Sequence, residues 1–356
     1  MTANPAPTTE AKAEMLVTVI IVNYNAYDWM KRCFDSLAAQ TIARQVQIIL
    51  IDNISSDGSD KLAQELMTGL PNALFIQMGE NAGFGRACNR AVQDATGKYL
   101  LLLNPDVWLE RDCLEQLVNG AERSQSAAAG PLVLNYDDDS FQSNGNVGFD
   151  LCGMFICMAP DAMPEELFCA NGFYFIRTDV YLKVGGEDEA FFLYTEEIDL
   201  SWRVWISGNR IVYAPKARIH HRGSISVNPK GGTKMVELRT SDSKRFFANR
   251  NHLLCLLKNC RHVLLLMLIP SLILLFVEGL IGSALARRWS FFRKTCWDVL
   301  KSCWQLRGHV LAKRRQVRGF RQRGDFWMLR FFSFRLNRLG EMEKIFRLGP
   351  PKLDHR

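Results

Sequence analysis

The sequence predicts an α/β protein, a parallel sheet with helices on both faces, continued by a helical C-terminal region. Three observations predict it. From Leu16 onward, short β-branched runs alternate with helical stretches. The residues that follow each run are polar or glycine-rich. The last third of the chain combines a long apolar stretch with a strong positive charge.

The runs are residues 16–22, 46–51, 74–76 and 99–103. They are nearly continuous in apolar side chains, as strands buried on both faces are, and lack the alternation of a sheet with one wet face. The stretches between them are long enough for crossover helices, which makes the pairing parallel. Ligands of such sheets lie beyond the carboxyl ends of the strands. That rule singles out Asn23-Tyr24-Asn25, Asp52-Asn53, residues 79–85 and Asn104-Pro105-Asp106. After about residue 131 the texture turns to loops, including three consecutive aspartates, then a strand-like stretch at 172–176, a helix-like stretch at 196–207 and another strand from 210.

Composition narrows the class. With 356 residues and 48% hydrophobic content the chain is globular. Residues 287–356 hold nineteen Lys/Arg against five Asp/Glu, a net of +14, which leaves residues 1–286 at −7. A basic tail on an acidic body points to anionic lipid more than to nucleic acid, since no nucleic-acid recognition fold accompanies the charge. Ten cysteines are scattered without any C-x-x-C pair, so neither a zinc knuckle nor a disulfide framework is expected and a reducing cytoplasm fits. Residues 1–14, rich in Ala, Pro and Thr, read as a disordered leader.

Five stretches carry candidate chemistry. At Asn104-Pro105-Asp106, a carboxylate at a strand mouth with an oxygen two residues earlier suits Mg²⁺ or Mn²⁺, which prefer oxygen ligands and complete their shell with substrate phosphate and water. The same triplet also forms turns. Asp52 can accept from a pyrimidine imide or a ribose hydroxyl, or cap the next helix, as Asp57 and Ser59 do. The stretch Glu80-Asn81-Ala82-Gly83-Phe84-Gly85-Arg86, with Asn89 a turn later, permits close backbone approach and opens a helix whose start favours phosphate; a plain turn would use the same glycines. From Glu196, Ile198, Trp202 and Trp205 share one helix face and Glu196, Asp199 and Arg203 another. Glu197 stands roughly 100° away, free to deprotonate a hydroxyl, although first-turn acids also complement the helix dipole. Finally, adjacent His220 and His221 on an extended segment point to opposite faces, so at most one faces the site.

In this order the elements resemble the GT-A inverting glycosyltransferases of family 2, especially the rhamnosyltransferase-like branch that builds bacterial surface polysaccharides. The matching residues are Val19-Ile20-Ile21-Val22-Asn23-Tyr24-Asn25, Asp52-Asn53 with Ser56-Asp57-Gly58-Ser59, Glu80-Asn81-x-Gly83-Phe84 with Asn89, Leu101 to Asp106, Val184-Gly185-Gly186 with Phe191-Phe192-Leu193-Tyr194, the acidic helix start and the His-x-Gly stretch. The resemblance implies a GT-A domain, a Rossmann-like mixed sheet with helices on both faces, over 15–235, followed by a membrane-associated helical region over 236–356. It implies a nucleotide-sugar donor such as dTDP-rhamnose, a lipid-linked or polysaccharide acceptor, and Mg²⁺ or Mn²⁺. Residue by residue, it implies that Asp52 contacts the nucleobase, that Asn104 and Asp106 occupy the D-x-D metal position, that His221 is a later metal or diphosphate contact, and that Glu197 is the base, with Glu196 next door. Asn23, Asn25, Asn81, Gly83, Phe84, Asn89, Glu196 and Arg203 complete the substrate-binding set. Three departures stand out: Asn104 replaces the first acid of D-x-D, Glu197 stands where Asp is usual, and Glu187 replaces the Phe of G-G-F-D-E.

Two other functional classes compete. A membrane-docked scaffold that kept the fold and lost turnover draws support from Glu at 197, while Asp52 and Asp106 speak against it. A dinucleotide-dependent dehydrogenase lacks its G-x-G-x-x-G after the first strand.

Residues 263–286 carry one charge, Glu278, and one proline, Pro270. As a helix these 24 residues reach about 36 Å, enough to cross a bilayer. A single crossing would export the +14 tail, against the positive-inside tendency. A helical hairpin broken at Pro270, or an interfacial helix, at the cytoplasmic face of the cell membrane is therefore expected; a buried cover for the sheet would show the same pattern. Residues 326–336 interleave aromatics with arginines, which suits a headgroup layer.

Overall fold

In the computed structural model of the chain, which describes residues 15–70, 72–143, 145–158, 162–170, 172–223, 239–334 and 352–354, all four apolar runs are strands. β1 (Val17–Asn23) leads through α1 (Tyr27–Ala38) to β2 (Val46–Asp52), α2 (Ser59–Met67) leads to β3 (Ala73–Gln77), and α3 (Gly83–Val92) leads to β4 (Tyr99–Leu103). These pair in parallel in the order β3-β2-β1-β4. Next come β5 (Val107–Leu109), α4 (Cys113–Arg123), β6 (Ala128–Asn135), β7 (Phe141–Ser143), β8 (Gly148–Phe149), β9 (Phe155–Ile156), β10 (Tyr174–Arg177), α5 (Thr178–Lys183), α6 (Glu196–Ile206) and β11 (Ile211–His221). β10 runs antiparallel between β4 and β6, while β11 lies parallel to β6 and antiparallel to β5. The nine-stranded sheet is thus mixed, with its parallel half built from crossover units.

The absence of alternation has the expected cause. Val17, Val19 and Ile21 of β1 pack with Phe34, Leu37 and Leu114 on one face. Ile20 and Val22 pack with Ala87, Cys88 and Trp202 on the other. Both faces are dry, so both need apolar side chains.

The C-terminal helices are α7 (Asp242–Asn259), α8 (Leu268–Ala286), α9 (Trp289–Phe292), α10 (Asp298–Gln305) and α11 (Arg307–Phe320), with a π-helical turn Arg293–Trp297 between α9 and α10. Leu254, Leu256, Met328 and Phe331 share a core with Phe149, Trp202 and Trp205. One apolar interior therefore joins the sheet to the helices that follow it. The expected leader and the expected boundary at 235/236 lie outside the described residues.

Pro270 does not break a hairpin. Residues 268–286 form one helix, preceded by a 3₁₀ turn, Leu264–Met267. Pro270 sits in the first turn, where the backbone N–H has no partner inside the helix and its loss costs nothing. By length and composition this helix, with the turn before it, is long and apolar enough to cross a membrane. No disulfide joins any of the ten cysteines.

Candidate active site

β1, β2 and β4 end side by side. Asn23 pairs in register with Asp52, and Ile21 with Leu103. The loops after them therefore leave the sheet from one edge. β11 brings His221 opposite Val107, and the Arg222 N–H donates to the Asp106 carbonyl at 2.9 Å. The start of α6 reaches the same edge through α3. Asn53 bonds Gly83 O and Ala82 N, both at 3.3 Å, and the Phe84 N–H donates to Phe192 O at 2.9 Å.

Most of the polar side chains expected to touch substrate instead hold this edge together. Asp52 is fully buried. Its Oδ1 accepts from Asn23 Nδ2 (2.7 Å) and Ser55 Oγ (2.6 Å), and its Oδ2 from Ser55 N (2.9 Å) and Gln77 Nε2 (2.7 Å). A carboxylate has about four acceptor positions, so none remains for a nucleobase. Asn23 also donates to Ser59 Oγ at 2.9 Å, and Asn25, at φ +53°, accepts from Ser56 N at 2.8 Å. Asn81 Oδ1 accepts from Gly83 N at 3.2 Å, which together with the Phe84 bond engages the first donors of α3 that were expected to meet phosphate. Gly83, at φ +78°, lies so close to Phe192 that a Cβ would sit 2.3 Å from its carbonyl oxygen. Asn89 bonds Glu187 N (2.9 Å), Glu187 O (3.0 Å) and the Tyr181 hydroxyl (2.8 Å). Arg203 is buried beneath α6, paired with Asp199 at 2.9 Å and donating to Val184 O and Gly186 O. Asn23, Asp52, Asn89 and Arg203 fix loop geometry from within, because buried polar atoms close to protein partners bond them; Asn25 and Asn81 are exposed.

A smaller set keeps open polar atoms. Asn104 is exposed, and Asp106 is half-buried with its carboxylate 3.4 Å from His221 Nε2. Gln142 settles the imidazole tautomer. Its Nε2 donates to Asn135 Oδ1 and His221 O, both at 3.0 Å, so its Oε1, 2.7 Å from His221 Nδ1, must accept. Nδ1 therefore carries the proton and Nε2 presents a lone pair to the carboxylate. Two acceptors facing each other need a proton or a cation between them. Asp106 and His221 thus suit a divalent ion completed by substrate phosphate. Among the described residues no set of three His, Cys, Asp or Glu forms a closed cage. As expected of neighbours on a strand, His220 turns the other way, buried and stacked on Trp108 at 3.5 Å.

α6 supplies the acid. Every residue of the helix is buried except Glu197, which is half-buried. Burial raises the Glu197 carboxyl above the ordinary range, and burial followed by the charge of Glu197 raises Glu196 further. Glu196 Oε2 is buried without a hydrogen-bond partner. Glu187 is also buried and pushed up to about 8 by desolvation, against the pull of Arg203. Its folded pKa lies above the unfolded value, so its stabilising share is complete below about pH 4.5 and fades as pH rises toward 8. Glu187→Gln removes that titration. Thermal unfolding should show the variant gaining about 3 kcal/mol on wild type between pH 4.5 and pH 7; a pH-independent difference would contradict the burial effect.

Sequence reasoning missed the residues that hold this acid in place. The loop before α6 contains three non-glycine residues at positive φ, namely Phe192 (+63°), Tyr194 (+72°) and Thr195 (+75°). Such conformations cost roughly 1–3 kcal/mol each and persist only when surroundings impose them. Here α7 imposes them. Asn251 Nδ2 lies 2.8–2.9 Å from the carbonyls of Phe191, Leu193 and Tyr194, and Arg250 Nη2 reaches those of Ala190 (2.6 Å) and Phe191 (3.0 Å). Lys258, also on α7, joins Asp188 and Asp199 (3.0 Å), and His309 of α11 meets Asp188 at 2.8 Å. The sign in the sequence was the polar run Asn249-Arg250-Asn251 between the apolar stretches Phe246-Phe247-Ala248 and Leu253-Leu254-Cys255.

Comparison with known proteins agrees with this geometry. Residues 18–182 match the family model described as Glycosyl transferase family 2. The chain is 27% identical over 238 residues to the N-acetylglucosaminyl-diphospho-decaprenol L-rhamnosyltransferase of Mycobacterium tuberculosis, covering 58% of this chain and 76% of that protein. It is 26% identical over 226 residues to the rhamnosyltransferase WbbL of Escherichia coli K12, covering 58% and 83%. Its fold resembles that of Staphylococcus aureus TarS 1–349, solved with UDP, with a TM-score of 0.52, 14% identity and coverage of 86% and 89%.

Proposed function

This chain is a glycosyltransferase of family 2, and on that premise we propose that it moves rhamnose, with inversion, from dTDP-rhamnose to a lipid-linked or polysaccharide acceptor at the cytoplasmic face of the cell membrane. The donor sugar and the lipid-linked acceptor draw support from the names of the two rhamnosyltransferases it resembles. The nucleoside diphosphate draws support from the unsatisfied pair Asp106 and His221.

The chemistry follows from the groups left open. Asp106 and His221 Nε2 would hold Mg²⁺ or Mn²⁺ against the diphosphate, and Asn104 beside them would contact the donor. The bound ion would offset charge growing on the departing nucleoside diphosphate. Glu197 takes the proton of the acceptor hydroxyl while that oxygen attacks the anomeric carbon from the face opposite the leaving group, so configuration inverts. A raised carboxyl pKa makes Glu197 a better base than a solvated glutamate. Asn251 and Arg250 keep it in place through the strained loop.

Two observations support this reading: Glu197 is the one residue of α6 that is not buried, and the Asp106 carboxylate faces His221 Nε2 at 3.4 Å. A scaffold without turnover would have no cause to set Asp106 against His221 Nε2, or to keep a half-buried carboxylate with a raised pKa at the start of α6. Incubating the purified chain with Mn²⁺ or Mg²⁺, a lipid-linked acceptor and a panel of nucleotide sugars tests it. Diphosphate release from dTDP-rhamnose is expected. Release from another donor would replace the sugar, and none from any donor would overturn the reading.

A further inference from the structure

We propose that α8 and the helices after it form a docking face for an anionic phospholipid bilayer, and that α8 lies in the membrane plane, never leaving the protein to span. The inference rests on the shape of this region and holds whichever sugar is transferred.

By length and composition α8 could cross a membrane. Its packing argues otherwise. One face is fastened to the protein. Ser271 Oγ donates to Cys152 O at 2.6 Å, and Gly279 lies so close to the Cys296 sulfur that a Cβ would sit 2.2 Å from it. The opposite face presents Ile269, Ile273, Val277, Leu280 and Leu285, all 46–60% exposed and recurring every three to five residues. Both ends are tied to the same body. Asp325 accepts from the N–H groups of Arg261 and Leu264 just before α8. Just after it, the Arg288 guanidinium pairs with Asp242 at the start of α7, at 3.0 Å. A spanning helix must place its ends about 30 Å apart on opposite sides of the hydrocarbon. A helix anchored at both ends to one folded domain can offer lipid only its outer stripe.

Aromatic and basic residues extend the stripe in the manner of a membrane interface. Trp289, Trp297 and Trp304 are 63–69% exposed and about two helical turns apart. Trp289 stacks on Phe292 at 4.7 Å, and Phe292 meets Phe276 of α8 at 6.1 Å, so the aromatic row is continuous with α8. Exposed tryptophans on a soluble surface are unfavourable, whereas at headgroup depth they anchor. Residues 287–320 carry ten Lys/Arg against a single acid, Asp298. That charge selects an anionic surface over a second copy of this equally basic face.

The full chain is tested by co-sedimentation with phosphatidylcholine vesicles with and without 30% phosphatidylglycerol. At least tenfold tighter binding to the anionic vesicles is expected, with tryptophan fluorescence quenched by brominated acyl chains. Ile273→Glu with Leu280→Glu, both exposed positions, should weaken binding at least tenfold and leave transfer to a soluble acceptor analogue unchanged, which separates this inference from the transferase reading. In a Cys157→Ser background, His262→Cys and Ser290→Cys mark the two ends of α8 for an impermeant maleimide added to sealed inverted membrane vesicles. Labelling of both from the cytoplasmic side is expected. Protection of either end until the membrane is opened would overturn the in-plane arrangement. Equal binding to neutral vesicles, or dimerisation through the stripe without lipid, would overturn the docking face.

Discussion

Glu197→Gln should lower kcat by about 10²–10⁴, the usual contribution of a positioned general base, while leaving the donor KM within a few-fold. Glutamine keeps the size and position of the side chain and removes only its capacity to take a proton. Because burial raises the Glu197 carboxyl, the wild-type rate should climb with pH along a limb displaced upward from the ordinary glutamate range, then level off as the base ionises. That limb should vanish in the variant. Glu196→Gln is the control. Glu196 is buried beside Glu197 with an unpartnered oxygen and is raised further, so it is still protonated where Glu197 ionises; its loss should leave the limb in place and slow turnover far less. A Glu196 variant that abolishes activity while Glu197→Gln stays near wild type would exchange the two roles.

Asp106→Asn should raise the Mn²⁺ concentration for half-maximal activity by about 100-fold or more, since altering even an outer-sphere partner costs 10–100-fold. The reason is the small donor set. Among the described residues Asp106 and His221 face each other at this edge, so removing one charge leaves a neutral pair to hold a dication. The variant should unfold at or slightly above the wild-type temperature, because the His221 imidazole is independently held by Gln142 at 2.7 Å. Titration of activity against Mn²⁺ beside a thermal melt separates the two effects. A metal requirement unchanged from wild type would remove Asp106 from the site.

The parallel half of the fold was legible because strands dry on both faces must be apolar throughout, and β1, β2 and β4 are. The loops at their ends were legible for the same topological reason. What the sequence could not convey was which polar residues face outward. Asp52 and Asn89 stand where substrate contacts belong, yet their side chains are bonded within the protein, to partners as far as 29 and 100 residues away; Asn23 keeps one unbonded oxygen, but it is buried. The Asp106 carboxylate and His221 Nε2 face each other instead. Arg203, expected in the substrate-binding set, is locked against Asp199, its neighbour on the same helix face, and two carbonyls. The hold of Asn251 on the strained loop was invisible for a related reason, since positive φ at Phe192, Tyr194 and Thr195 leaves no mark in residue type. Pro270 misled because its cost depends on its place in the helix, which the sequence alone left open.

Diffraction at the manganese absorption edge, from crystals grown with Mn²⁺ and dTDP, addresses the site most directly. A single anomalous peak at bonding distance from the Asp106 carboxylate and His221 Nε2 is expected, with the diphosphate on the ion and Glu197 bordering the same cavity. A peak elsewhere, or protein atoms walling Glu197 off from the diphosphate, would contradict it.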